Sequence, residues 1–285
     1  MATSMSDDQV ETDSEGDEPN KRTTIIRTAS WEEFETEIKK FEDPTRKVWD
    51  EVWFRGQADA TWPLLTTLER RSKKTQAVAD YLNLISEIEP AIGTFTGNQF
   101  SRPHVPDVER FCREYDLFDN GLREHATYLA HLRHGGFPSP LLDWTASPYV
   151  AAYFAFHSAR HDGDVAVYAY REWASRFKVG GSDEPHIVSF GPLFRTHKRH
   201  FRQQSRYTAC VQFINGQWCF RPHELVFSQT NQPKQDLLWK ISIPASERLK
   251  VLRFCEKVNL NEFTLFDSEE GLLEQQAMRV FDLRT

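Results

Sequence analysis

Residues 141–156 read LLDWTASPYVAAYFAF and form the most apolar stretch of the chain. Ser147 followed by Pro148 is a typical helix start, with serine as the N-cap and proline in the first turn. The residues that follow are apolar on nearly every face, which predicts a buried central helix over about 147–161. Asp143 lies among apolar neighbours ahead of this helix. We therefore expect a partly buried carboxylate that needs a cation or hydrogen-bond donors.

The elements around this helix predict an α+β fold. Segments rich in Val, Trp and Phe indicate strands, and Asn215-Gly216 indicates a tight hairpin. Helix-capping residues and long segments that mix polar and apolar residues indicate helices. The predicted strands cover 48–54, 165–170, 211–220 and 238–243, and the hairpin lies in the middle of 211–220. The predicted helices cover about 31–41, 69–92, 107–134 and 246–285. Helices precede a mixture of strands and helices, which predicts one domain over residues 24–285 with a mixed or antiparallel sheet.

The net charge of −7 is concentrated at the N-terminus. Residues 1–20 hold seven of the 42 acidic residues and no Lys or Arg, which leaves 35 acids and 35 bases in the remainder. This composition predicts an acidic disordered tail over residues 1–23 and a neutral folded body. A neutral body argues against broad electrostatic attraction to nucleic acid, although a local basic site remains compatible with it.

The N-terminal sequence, the lengths of the apolar runs and the spacing of the cysteines bear on cellular location and metal binding. The start of the chain has no signal-peptide pattern, and the longest apolar run has eight residues, against about 20 for a membrane helix. The four cysteines have neither metal-ligand nor disulfide-framework spacing. We therefore expect a cytoplasmic protein without a membrane span or a metal site. The sequence does not indicate an oligomeric state.

Two segments are candidates for contact with an anion. Arg55 lies at the end of the first predicted strand beside Gly56, where a small residue would let a ligand approach the backbone, and Gln57 follows. Asp143 is the expected partner of Arg55, either in a structural ion pair or as the group that positions the arginine for a ligand.

The second segment is the basic run 195–206. Its arginines are spaced so that they share one face of a helix, which is either a solvated face or a phosphate-binding one. The arginines on this face are Arg195, Arg199, Arg202 and Arg206, and Gln203 lies among them.

Three further residues have both a structural and a functional interpretation. Trp144 is either a core residue or a stacking surface. Thr145 either caps the helix that follows or contacts a ligand. Glu270 is either a solvated acid in the first turn of a helix or part of a functional segment near the C-terminus.

These motifs, in this order, resemble the FRG domain family. The resemblance rests on FRGQ at 54–57, on LAHLRHGGFP at 129–138 followed by LLDWT at 141–145 and AAYFA at 151–155, on Arg199 with Gln203 and Gln204, and on LF at 265–266 with EGL at 270–272. It covers roughly residues 30–275. The chain departs from the family pattern at Arg133, where Gln is usual, at Ser139-Pro140, where Thr-Arg is usual, and at Ser205, where Gly is usual.

The resemblance implies two kinds of function for a family found largely in bacteria and phages. The motif order is similar to that of ADP-ribosyltransferases, with Arg55, Thr145 and Glu270 in the catalytic places and NAD as the candidate cofactor. Gln57, Asp143, Trp144, Arg199, Arg202, Gln203 and Arg206 would then bind the substrate or its phosphates. The alternative is a non-catalytic module that binds nucleic acid or a protein partner in a defence or toxin-like system. Whether the protein is an enzyme is left open by the sequence.

Overall fold

A computed structural model describes residues 23–42, 51–72, 74–103, 122–159, 162–173, 183–191, 197–229 and 235–284. Apart from Thr23, the acidic tail expected over residues 1–23 lies outside these segments, as do Arg195 and much of the helix expected over 107–134. None of the helices in the described segments combines the length and the apolar character that a bilayer span requires.

The described chain contains eleven α-helices and eight strands, which confirms the α+β class. The strands are β1 (Thr23–Arg27), β2 (Val52–Gln57), β3 (Leu142–Thr145), β4 (Asp164–Trp173), β5 (His186–Phe190), β6 (Ser205–Ile214), β7 (Gln217–Phe220) and β8 (Gln235–Pro244). The helices are α1 (Trp31–Lys39), α2 (Thr67–Arg71), α3 (Val78–Thr96), α4 (Leu122–Glu124), α5 (Ala126–His134), α6 (Pro148–His157), α7 (Lys198–Arg202), α8 (Glu224–Gln229), α9 (Arg248–Lys257), α10 (Glu262–Phe266) and α11 (Glu269–Ala277). A 3₁₀-helix (Ala245–Glu247) and a π-helix (Met278–Asp282) complete them.

The eight strands form one mixed sheet in the order β1-β8-β4-β2-β3-β6-β5, and β7 pairs with β6. The β1–β8 pair is parallel, whereas the other pairs are antiparallel. Asn215 and Gly216 connect β6 to β7 with positive φ angles of 52° and 80°, as a type I′ hairpin requires. The mixed or antiparallel sheet and the hairpin expected from the sequence are therefore both present.

The buried central helix is α6. The Ser147 hydroxyl accepts a hydrogen bond from the Val150 amide, so the expected N-cap is confirmed. The helix ends at His157, four residues before the expected end. Six of its ten residues are buried, and it packs on one face of the sheet with α1 and α9. Its burial on several sides explains why its sequence has almost no polar face.

The sheet opens between its two middle strands. Among the described residues, β2 and β3 are paired only at Phe54 and Thr145. Beyond that pair, β2 continues along β4 and β3 continues along β6. Arg55 and Gly56 would face Trp144 and Asp143 if the pairing continued. Because it does not, a gap forms between the two strands.

Candidate functional site

A cleft of about 320 Å³ lies where β2 and β3 separate. It is bounded by β2, β3, α5, α6 and α7, by the start of β6 and by the end of α10. The lining residues are Phe54, Arg55, Gly56, Arg133, His134, Asp143, Trp144, Thr145, Ala151, Phe154, Arg199, Gln203, Ser205 and Phe266. The described lining thus contains three arginines and one carboxylate. With a neutral imidazole at His134, its net charge is positive.

Arg55 lies in the gap between the strands. Its Nη1 atom donates a 2.9 Å hydrogen bond to the main-chain oxygen of Asp143. Burial lowers the pKa of the guanidinium to about 10, and the negative charge of Asp143 acts in the opposite direction. The group therefore stays charged at neutral pH. Its Nε atom is buried and has no hydrogen-bond partner within the described segments.

The carboxylate of Asp143 forms its ion pair with Arg133, not with Arg55 as expected from the sequence. Arg133 is in the last turn of α5, and Asp143 is in β3. The reason for the difference is geometric, because Asp143 turns its carbonyl group toward the gap that Arg55 occupies. The Nε atom of Arg133 is also buried without a partner among the described residues.

Gly56 has a packing role that differs from the expected one. A Cβ atom at this position would lie 1.9 Å from the main-chain oxygen of Ala151 and 2.8 Å from the amide nitrogen of Ala155. Both atoms belong to α6, so the helix backbone already occupies the space expected for a ligand. Gly56 therefore lets α6 pack directly on β2.

Thr145 and Trp144 both have structural roles. The Thr145 hydroxyl accepts a 3.1 Å hydrogen bond from the Ser147 amide and supports the start of α6. The Trp144 indole donates to the hydroxyl of Thr208 at 2.8 Å, and its ring lies 5.3 Å from that of Tyr170. Both residues border the cleft, but the indole of Trp144 is a core group.

Arg199 and Gln203 reach the cleft from α7 and its C-terminal cap. The guanidinium of Arg199 lies 5.0 Å from the centre of the Phe266 ring, and its Nε atom donates to the Phe266 carbonyl at 3.4 Å. Gln203 donates to the Leu265 carbonyl at 3.3 Å. These contacts hold α7 against α10 and place two donor side chains at the rim of the cleft.

The two other predicted arginines within the described segments, Arg202 and Arg206, do not line the cleft. Arg202 forms an ion pair with Asp267 at 3.1 Å, and Arg206 forms a two-pronged pair with Glu51. The expectation of one helical face over 195–206 was wrong, because α7 ends at Arg202 and β6 begins at Ser205. Between them, Gln204 has a φ of 48°, which turns the chain out of the helix.

Two more predicted residues lie outside the lining. Gln57 is buried and donates from Nε2 to the carbonyl of Pro63, so it fixes the loop after β2. Glu270 is exposed in the first turn of α11, whose N-cap is Ser268. Its pKa is lowered mainly by a main-chain hydrogen bond, as is usual for an acid at a helix start. Glu270 is therefore not among the residues that line the cleft with Arg55 and Thr145, although the charge of Arg199 also acts to lower its pKa.

Sequence reasoning did not identify four cleft residues, namely Arg133, His134, Phe154 and Phe266. Arg133 and His134 end a helix, where basic residues are common for reasons of helix stability alone. The available signal was their position in the block at 129–138 that resembles the FRG domain. Phe154 and Phe266 carried only the ordinary signal of a core residue.

Residues 50–164 match the family model of the FRG domain. Residues 50–164 therefore carry an FRG domain, as the motifs indicated. The matched range includes Arg55, Arg133, His134 and Asp143, whereas Arg199 lies beyond it. No curated protein and no solved structure matches the chain, and the expected similarity to the ADP-ribosyltransferase fold is not confirmed.

The histidine in the cleft makes stability depend on pH. Burial lowers the pKa of His134 to about 4 from an ordinary value near 6.5, and the charge of Asp143 opposes the shift. The unfolded chain therefore binds a proton between pH 6.5 and 4 that the folded chain does not bind, and stability falls as the pH falls through this window. We expect the free energy of unfolding to drop by about 1–2 kcal/mol from pH 7 to 5 through this residue.

Urea unfolding at several pH values measures this effect. In His134→Gln, the dependence on pH should be flatter than in the parent chain. It should not vanish, because the pKa values of His131 and His197 are also lowered by burial. Equal slopes for the variant and the parent would contradict the assignment to His134.

Proposed function

We propose that the cleft binds a small phosphate-containing anion. The observation that carries the proposal is a pair of arginines, Arg55 and Arg133, that line the same cleft together with Arg199. Burying a charged group is costly unless it is paired and hydrogen-bonded. An oxygen-rich anion in the cleft would lower this cost for the three guanidinium groups.

The charges favour an anion over a cation or a neutral molecule. The described lining offers guanidinium groups from Arg55, Arg133 and Arg199 against the single carboxylate of Asp143, which Arg133 already engages. Guanidinium groups match phosphate in geometry and bind it through parallel hydrogen bonds. The aromatic rings of Phe154 and Phe266 form an apolar part of the cleft wall near Arg199.

The size of the cleft favours a small molecule over a nucleic acid. A volume of about 320 Å³ lies near the lower end of the range of about 300–1,000 Å³ for small-molecule pockets. Arg202 and Arg206 would have to extend a nucleic-acid surface, but each is engaged by a carboxylate. A nucleic-acid or protein-binding module therefore receives less support from this geometry than a small-anion site does.

NAD remains a test compound for this cleft. Its pyrophosphate suits the arginine pair, and that is the part of the ADP-ribosyltransferase hypothesis that the geometry favours. The proposed catalytic role of Glu270 lacks such support, because this exposed residue is not part of the lining. Binding is accordingly proposed without a transfer reaction.

Calorimetric titration with inorganic phosphate, pyrophosphate, AMP, NAD and uncharged adenosine tests the proposal. The phosphate-bearing compounds should bind and adenosine should not. Saturation at 100 times Kd should stabilise the fold by about 2.7 kcal/mol. If none of the phosphate compounds binds at millimolar concentration, the proposed function is wrong.

The variant Arg199→Gln tests whether this single arginine contributes to phosphate binding. This variant should weaken phosphate binding by about tenfold or more, the usual value of one charge-assisted hydrogen bond. The matched control is Lys198→Gln, which removes the same charge one residue away on a side chain that is 81% exposed. Equal losses in the two variants would indicate a general charge effect and would contradict direct contact by Arg199.

A further inference from the structure

A chain of hydrogen bonds leads from the cleft into the core. Nε2 of His134 lies 2.7 Å from the hydroxyl of Tyr207, and the same hydroxyl lies 3.0 Å from Nδ1 of His200. Tyr207 is fully buried and His200 is 2% exposed. The ring of Tyr207 stacks on His200 and meets His134 edge-on, so all three rings are held in place by packing.

The second ring nitrogen of His134 is not buried. His134 lines the cleft, and its hydrogen bond to Tyr207 uses Nε2. In the described part of the chain, Nδ1 makes no hydrogen bond, and it is not among the buried atoms that lack one. An atom that is neither bonded nor buried is accessible, and the neighbouring lining residues Arg133 and Asp143 define the cleft as the space it faces.

The hydroxyl of Tyr207 also interacts with the side chain of Ser205, and relative to the two imidazoles it has two complementary arrangements. If Tyr207 donates to His134, then His134 carries its proton on Nδ1 and presents a donor to the cleft. If Tyr207 donates to His200, then His134 donates from Nε2 to Tyr207 and presents Nδ1 to the cleft as an acceptor. Both arrangements keep the two imidazoles neutral and satisfy the buried hydroxyl.

We propose that Nδ1 of His134 directly contacts the ligand of the cleft, and that Tyr207 and His200 set whether this atom donates or accepts the hydrogen bond. The inference rests on the proposed function, because the ligand is the phosphate-type anion described above. It narrows the ligand to one with an oxygen that gains and loses a proton near neutral pH, as phosphate monoesters do with a pKa of about 6. Such an oxygen is an acceptor in one state and a donor in the other.

The charges around His134 suit this role. Asp143 and Arg133 face it from β3 and α5, and His197 and His200 face it from the α7 segment. Burial keeps the pKa of His134 at about 4, so its imidazole is neutral at pH 7 and the switch between donor and acceptor adds no charge to the cleft. The arginines attract the anion, whereas His134 distinguishes the protonated from the deprotonated form of the anion.

Nitrogen-15 NMR of the histidine rings in the full chain at pH 7, with and without inorganic phosphate, tests the proposal. His134 is assigned by the signals lost in His134→Gln. Phosphate should shift the Nδ1 signal of His134, and the ring should be in one dominant tautomer. In Tyr207→Phe, the tautomers should become mixed and the affinity for phosphate should fall about fivefold to tenfold, as for the loss of one hydrogen bond.

The matched control is Tyr128→Phe. It removes another buried hydroxyl, which donates to the carbonyl of Ile85, from a residue outside the cleft. It should leave both the His134 signals and the phosphate affinity unchanged. If Tyr207→Phe does not fold, His200→Gln tests the same chain of bonds, and the phosphate-induced shift in the unaltered chain still tests the contact.

The outcomes separate the two proposals. If phosphate binds and Arg199→Gln weakens that binding, but the His134 signals do not move, the contact at His134 is disproved and the anion site stands. If the signals move but Tyr207→Phe and His200→Gln keep one tautomer, the role of the Tyr207–His200 pair is disproved. If phosphate does not bind at all, the anion site fails and this inference fails with it.

Discussion

Asp143→Asn should lower the free energy of unfolding by about 3 kcal/mol and, at the same time, strengthen phosphate binding. The substitution removes the carboxylate that pairs with Arg133 and leaves Arg55, Arg133 and Arg199 without an opposing charge in the described lining. Breaking a fully buried ion pair costs about 3–5 kcal/mol. The side chain of Asp143 is 34% exposed, so the cost should lie at the lower end of that range.

The two effects have opposite signs because they have different origins. Without a ligand, the unpaired arginines repel one another. With phosphate bound, the anion replaces the lost carboxylate. Urea unfolding with and without phosphate, combined with calorimetric titration, measures both effects. If Asp143 instead bound the ligand, as its place among the predicted substrate-binding residues implied, the affinity would fall in Asp143→Asn.

Asp267→Asn is the matched control for this experiment. Asp267 also pairs with an arginine, Arg202, but the pair lies outside the cleft and the side chain of Arg202 is 41% exposed. Asn tolerates the left-handed backbone conformation at this position, where φ is 51°. The loss of stability should stay below about 1 kcal/mol, as for other exposed ion pairs, and phosphate affinity should not change.

The elements that were predicted well depend on local signals. Ser147-Pro148 caps α6 as expected because an N-cap involves only residues within one turn. Asn215-Gly216 forms its hairpin because positive φ angles are favoured by those two residues themselves. Five of the eight strands, β2, β4, β6, β7 and β8, overlap segments that the sequence predicts as strands, whereas β1, β3 and β5 were not predicted.

The cleft was predicted only in part because it depends on contacts between distant residues. Arg55 donates a hydrogen bond to the carbonyl of Asp143 across the gap between β2 and β3. No sequence pattern within either strand indicates that the two strands separate there. The run 195–206 reads as a continuous helix, but the positive φ at Gln204 diverts Arg206 into a strand and toward Glu51. Arg199 and Arg206 were expected on one surface, and only Arg199 reaches the cleft.

Gly56→Ala should destabilise the fold by more than about 3 kcal/mol, well beyond the usual effect of one added methyl group. The new Cβ atom would overlap the main-chain oxygen of Ala151 at 1.9 Å. A main-chain atom inside a buried helix cannot rotate away as a side chain can, so β2 and α6 would have to move apart. That movement would open the core between Phe54 and the helix.

Gly135→Ala is the matched control for the glycine. Gly135 follows α5 with a φ of −76°, and an added Cβ atom would meet its nearest neighbours at 3.5 and 3.6 Å, which is ordinary van der Waals contact. We expect its free energy of unfolding to stay within about 1 kcal/mol of the parent value. Urea unfolding of both variants distinguishes packing from ligand access as the reason for glycine at position 56. If Gly56→Ala were as stable as Gly135→Ala and lost only phosphate binding, glycine would be needed at position 56 for ligand binding. The close packing of α6 on β2 would then not be the reason for the glycine.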